Sequence, residues 1–125
     1  MRIFVCLALV GSCVAAQAAL FNVDIRNFAF SPDMLTINVG DQVRWTNNDF
    51  APHTASSTAG PMSFNSGTLG NGQSFTFTFT AAGSYDYMCN FHHDMMGSVN
   101  VVPEPSSILA MGLAGLILMR RRRSN

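Results

Sequence analysis

Residues 85 to 101 run YDYMCNFHHDMMGSVNV, so Cys89 is followed three residues later by His92 and then by the adjacent pair Met95 and Met96. Far upstream, Pro52 and His53 stand where a strand would begin after an Asn47 to Ala51 turn. Together these residues offer one thiolate, two imidazoles and a thioether, three of the four on a single short loop. A trigonal His, His, Cys set with a weak axial thioether is the blue-copper arrangement: the sulfur donors stabilise Cu(I) and imidazole accepts Cu(II). A rigid β scaffold that lets neither state relax far would keep reorganisation small and favour one-electron transfer. Zinc is the competing ion, but structural zinc sites take Cys and His without Met, usually in CxxC or HxxxH pairs, and neither pair occurs in the chain. An oxidase-type copper enzyme would need histidines for a second copper centre. Only His93 is left over, so no enzyme site is legible.

Such a set needs elements that hold distant residues together, and the sequence supplies strands. Phe21, Val23 and Ile25 alternate with Asn22, Asp24 and Arg26, the period of a half-buried strand. Phe28 and Phe30 continue on even numbers, so the phase slips at Asn27, where a bulge or bend is expected. Leu35, Ile37 and Val39 form a second inward set that ends at Gly40 and Asp41, and Val43 with Trp45 forms a third. Phe75, Phe77 and Phe79 alternate with threonines in the clearest amphipathic strand. Tyr85, Tyr87 and Cys89 then share a face, and Val99 and Val101 close the series. Residues 55 to 73, rich in Gly, Ser and Thr, read as a loop pinned to the core by Phe64 and Leu69. Residues 20 to 102 show no helical periodicity, so an all-β, two-sheet antiparallel Greek-key sandwich is predicted.

The ends are of another kind. Arg2, the apolar run Ile3 to Val10 and small residues ending in Ala16, Gln17, Ala18 read as a secretory signal peptide over 1 to 19, cleaved near Ala18 or Ala19. Val10 to Cys13 also loosely resembles a lipobox, with Cys13 as the lipidated residue. Either way Cys89 is the one cysteine of the folded part, which excludes an internal disulfide there. At the other end, Val102, Pro103, Glu104 and Pro105 precede an apolar run from Ile108 to Met119 and four arginines. Two prolines in three residues end any strand and make a stiff linker. Twelve apolar residues in a helix span roughly 18 Å of a ~30 Å hydrocarbon layer, a marginal membrane anchor. Both end segments are expected to be helical. The chain is 48% hydrophobic and formally neutral, but its arginines are mostly in the tails. Residues 20 to 102 carry Arg26 and Arg44 against six aspartates, a formal charge of −4, which argues against nucleic acid as a partner.

The VPEP of Val102 to Pro105, with the apolar segment and RRRR that follow, makes residues 103 to 125 resemble the PEP-CTERM sorting signals of Gram-negative bacteria. That resemblance implies recognition by an exosortase-like processing enzyme, transient or lasting contact with the membrane, and a destination in the periplasm, the cell envelope or the extracellular matrix. Residues 20 to 102 resemble a small cupredoxin of the plastocyanin and amicyanin family. The likeness is carried by the PHT at Pro52 to Thr54, the FNSG at Phe64 to Gly67, the YDYMC at Tyr85 to Cys89 and the closing MxGxV. It implies His53, Cys89, His92 and Met95 as ligands of one type 1 copper. Met95 is preferred over Met96 because the family's axial methionine precedes one residue and then a glycine. Two residues between His92 and Met95 make the short, amicyanin-like ligand loop.

The resemblance further implies that Asn48 or Asn47 braces the site, that His93 faces solvent, and that Ala51, Pro52, Phe91 and Met62 rim an exposed His92 edge. The function implied is an exported one-electron carrier, not an enzyme, that serves a redox protein such as a cytochrome or another copper protein. A copper-binding carrier without electron traffic would use the same ligands, and a structural envelope protein would need none of them.

Overall fold

The structure, a computed structural model, describes residues 17 to 104, and the helical segments expected at the ends lie outside them. Eight strands follow in chain order: β1 (Leu20–Arg26), β2 (Ala29–Ser31), β3 (Met34–Asn38), β4 (Gln42–Asn47), β5 (Ser56–Ala59), β6 (Ser74–Thr78), β7 (Gly83–Met88) and β8 (Met96–Val102). They form two four-stranded sheets, ordered β2-β1-β4-β6 and β3-β8-β7-β5. The predicted all-β sandwich is therefore what the chain adopts, but the sheets are mixed. β1 runs parallel to β4 and β3 runs parallel to β8, while the other pairs are antiparallel. The inward alternation places Val23 and Ile25 of β1, Val43 and Trp45 of β4, Tyr85 and Tyr87 of β7, and Val99 and Val101 of β8 in one core. Trp45 stacks at 5.2 Å on Phe64 and 5.9 Å on Phe75, with Tyr87 edge-on at 5.3 Å. Each such buried side chain contributes roughly 1.5–3 kcal/mol relative to exposure.

Two departures from the sequence expectation bear on the site. At Asn27 the expected bulge or bend is a full reversal of the chain: Arg26 pairs with Ala29, and Asn27 and Phe28 form a two-residue hairpin turn with φ of 53° and 57°. Positive φ at both central positions matches the twist of the flanking strands. The turn lifts Phe28, expected inward, to 51% exposure, while Phe30 is buried as expected. The second departure is β5, inside the expected loop. Its sequence, Ser-Ser-Thr-Ala, has no apolar alternation; side-chain bonds hold it in place. Ser57 Oγ donates to the Phe64 carbonyl at 3.1 Å and accepts the Phe64 amide at 2.8 Å. Phe64 and Leu69 do pin the segment, at 6% and 5% exposure.

One end of the sandwich gathers the last residues of β1, β4 and β7 and the first residues of β6 and β8. The segments that follow β4 and β7 leave from this end, and they carry His53 and Cys89. Gly97 lets β8 close over Tyr87, since a Cβ there would overlap the tyrosine ring.

Candidate metal centre

Three donor atoms converge between the two sheets. Cys89 Sγ lies 3.7 Å from His53 Nδ1 and 3.7 Å from His92 Nδ1, and the three atoms fall within 4.8 Å of one another. Donors about 2.0–2.3 Å from a shared first-row ion subtend about this spacing at trigonal angles. Soft sulfur beside two imidazoles suits copper, so the residues fit the ion that the sequence suggested. Cys89 and His53 are fully buried and His92 is half-buried. Among the sequence-predicted ligands, Met95 is 3% exposed. Its amide donates to the His92 carbonyl at 2.9 Å and its carbonyl accepts the Cys89 amide at 3.1 Å, which closes the ligand loop. Met96 faces outward from β8 at 63% exposure.

The backbone fixes these positions. His53 exchanges both main-chain hydrogen bonds with Leu69, at 3.1 and 2.8 Å. The Thr54 amide donates to Cys89 Sγ at 3.4 Å, and Thr54 Oγ1 accepts the Asn90 amide at 2.9 Å, so the segment after β4 is tied to the segment after β7. Asn90 Nδ2 reaches Ser56 Oγ at 3.0 Å and extends that tie to β5.

Of the two asparagines left open by the sequence, Asn47 is the brace. It is fully buried; its Nδ2 donates to Ala51 O at 2.9 Å and Leu69 O at 2.8 Å, and its Oδ1 accepts the Asp49 amide at 2.9 Å. Asn48 is exposed and bonds Asp24.

Two residues that sequence reasoning missed complete the surroundings. Asp49 Oδ2 lies 2.8 Å from His53 Nε2, so the ring donates there and leaves Nδ1 as the lone-pair donor facing the thiol. The same carboxylate accepts the amides of Asn27 at 2.8 Å and Phe28 at 2.9 Å. Desolvation pushes its pKa up, but the Phe28 and Asn27 amides and the His53 ring outweigh this and leave it below the ordinary 3.8. The hairpin tip thus held sets Phe28 edge-on against both imidazoles, at 5.1 Å from His53 and 4.8 Å from His92. A motif Asn-Phe at a phase slip was the available signal for the turn; nothing in the sequence linked it to Asp49.

Of the residues expected at the rim, Phe91 is 53% exposed with its ring 6.5 Å from that of His92, Pro52 is exposed and Ala51 is half-buried. Met62 does not belong to it. Its sulfur accepts Thr80 Oγ1 at 3.5 Å, beyond the far end of β6, because residues 60 to 62 cross beside Gly83 at the start of β7. His93 is exposed, as expected.

Residues 17–102 match the family described as copper binding proteins, plastocyanin/azurin family, and residues 101–123 match the PEP-CTERM protein-sorting motif. The chain is similar to amicyanin of Paracoccus denitrificans, 35% identical over 82 residues that cover 63% of each chain. It is also similar to chloroplastic plastocyanin of Tetradesmus obliquus, 35% identical over 109 residues and 75% of each chain. Among solved structures, the Cu(I) form of an amicyanin mutant superposes with a TM-score of 0.61 and 34% identity, covering 72% of this chain and 88% of that one. A Cu-containing nitrite reductase from Thermus scotoductus gives 0.63 at 31% identity, covering 70% of this chain and 23% of that one. The chain thus spans a little under two thirds of the Paracoccus amicyanin and about a quarter of the reductase.

Proposed function

The chain belongs to the plastocyanin/azurin family of copper-binding proteins, and we propose that it is an exported type 1 copper protein that carries single electrons between redox partners. The reading rests on the convergence of His53 Nδ1, Cys89 Sγ and His92 Nδ1 within 4.8 Å. These three side chains would hold the ion, with the Met95 thioether as a fourth, weaker donor. Bound copper supplies the one-electron chemistry by passing between Cu(I) and Cu(II). The burial of Met95, within the loop that carries Cys89 and His92, supports its choice over the outward Met96.

The protein's own residues do the rest. Asp49 and the Leu69 main chain hold the His53 ring, and Thr54 donates an amide to the thiol sulfur, so the donors need not rearrange when charge changes. His92 is the half-buried member of the set and would reach the surface inside an apolar rim that includes the exposed Phe91 beside it. A partner would dock there. The −4 charge of residues 20 to 102 favours one with a basic surface. Export is supported by the match of residues 101–123 to a protein-sorting motif and by the signal-like residues 1 to 19. An exosortase-like enzyme would process the C-terminal segment.

Purified protein given Cu(II) is expected to turn intensely blue through thiolate-to-copper charge transfer. Cys89→Ser should abolish the colour, and Met95→Leu should keep it and raise the reduction potential. If Met96→Leu raises the potential instead, the axial assignment is overturned. A blue protein that passes copper to an apo-acceptor but exchanges no electrons with a cytochrome would be a copper carrier.

A further inference from the structure

At the opposite end of the sandwich from the donors, a buried carboxylate has no cation beside it among the described residues. Asp41, between β3 and β4, is 5% exposed. Its Oδ2 accepts the Asn38 amide at 2.9 Å and its Oδ1 accepts the Ala19 amide at 2.9 Å. Its main chain is tied as well, the amide to Asn38 O at 3.0 Å and the carbonyl to the Phe79 amide at 3.0 Å. A buried carboxylate is costly unless positive charge or strong donors face it. Here two neutral amides do so, and among the described residues the ion pairs are Arg26 with Asp24 and His53 with Asp49. The chain has no lysine.

The geometry points to the chain's own amino terminus as the cation: hydrolysis of the Ala18–Ala19 bond by a secretory signal peptidase would place the Ala19 ammonium on Asp41 as a structural ion pair of the mature protein. The inference rests on the reading of residues 1 to 19 as an export signal. In the cleavage, water's oxygen joins the Ala18 carbonyl carbon, which leaves as a carboxylate. Both of water's hydrogens end on the Ala19 nitrogen, whose amide N–H becomes an ammonium. The position is set from both sides. Ala16, Gln17, Ala18 is the A-x-A pattern such enzymes read, and Gln17, Ala18 and Ala19 are exposed. A cut one bond later would put Gln17, not a small residue, at the outer specificity position. It would also remove Ala19, whose carbonyl accepts the Gln42 amide at 2.9 Å as the first rung ahead of β1. Cleavage after Ala18 therefore keeps both Ala19 hydrogen bonds and adds a charge at the one buried carboxylate that lacks a counter-ion among the described residues.

The test uses the full chain expressed in a Gram-negative host and recovered after export. Mass spectrometry is expected to find Ala19 as the first residue. With no lysine present, the α-amino group is the chain's only primary amine, so an amine-selective acetylating ester modifies that atom alone. It restores an amide N–H and removes only the charge. Acetylation should raise the unfolding equilibrium constant about twofold to fivefold at neutral pH and low salt, and the effect should vanish in the Asp41→Asn variant. The folded protein should also react with the ester several-fold more slowly than the urea-unfolded protein, a readout that survives if Asp41→Asn does not fold. A chain recovered with residues 1 to 18 attached sinks the export reading. One that begins at an acylated Cys13 or at Leu20 sinks the cleavage site. One that begins at Ala19 but whose stability and labelling rate ignore the pairing sinks the ion pair alone.

Discussion

Asp49 joins two things that chain order keeps apart, the hairpin tip at Asn27 and Phe28 and the imidazole of His53. Metal-binding histidines that donate their other nitrogen to a carboxylate keep one tautomer and one ring plane, and loss of that partner typically costs 10–100-fold in metal affinity. Asp49→Asn keeps an acceptor but loses the charge and one of the oxygens that bond these groups. Copper affinity, measured by competition with a chelator of known strength, is expected to fall by about tenfold or more. A change below about threefold would mean that the Leu69 main chain fixes the ring without help. The gathering of His53, Cys89 and His92 was legible because Cys89 and His92 lie three residues apart, followed by methionines, in a combination of types that is rare. Asp49 was not. It sits in an ordinary Asn-Asn-Asp-Phe turn, and its amide partners are 21 and 22 residues away. For the same reason Asn47 and Asn48 could not be told apart until burial separated them.

Strands carry the next level, and here alternation was a good guide to faces and a poor one to pairing. Val23 with Ile25, Val43 with Trp45, and Tyr85 with Tyr87 all point inward as read. Period two fixes the face, but it cannot say whether the neighbour runs parallel, so β1 beside β4 and β3 beside β8 were not foreseen. β5 escaped because hydroxyl bonds hold it, with no apolar stripe to show. The paired strands β7 and β8 do carry a measurable consequence. Tyr87 is 1% exposed beneath Gly97, and burial pushes its hydroxyl up to about 12 from 10.0. A hydroxyl whose folded pKa is raised stabilises the fold fully below its unfolded value and loses that contribution as pH climbs toward the folded one. The contribution of this hydroxyl should therefore be level below pH 10 and drop by roughly 2–3 kcal/mol between pH 10 and 12. Urea titrations across that range would show the drop, and Tyr87→Phe should flatten most of it. Tyr85, whose hydroxyl burial also raises, accounts for the remainder. An unchanged slope in Tyr87→Phe would move the alkaline transition elsewhere.

At the scale of the whole domain, the −4 of residues 20 to 102 is not spread evenly. On the β2-β1-β4-β6 sheet, Arg26 pairs with Asp24 at 3.3 Å and Arg44 donates to Asn22, so that face is close to neutral or slightly positive. Asp41 is buried and Asp49 is turned into the site. The exposed acid is left on the other sheet's side: Asp86 on β7, Asp33 just before β3, and Asp94 on the ligand loop. Asp33 and Asp94 lie toward the donor end, because β3 starts there beside β8. The net charge was readable from composition, but its polarity was not, since it depends on which strands share a sheet. A basic partner that docks at His92 would be drawn in from this acidic side, and salt would weaken the attraction beyond a screening length of about 8–10 Å. Asp33→Asn combined with Asp86→Asn halves the formal charge without touching any donor. The double variant should keep the full blue colour and redox potential, while the salt dependence of its electron-exchange rate with a basic cytochrome falls by roughly half. An unaltered salt dependence would place docking on another face. A partner drawn by the apolar rim alone would give a rate indifferent to ionic strength in both proteins.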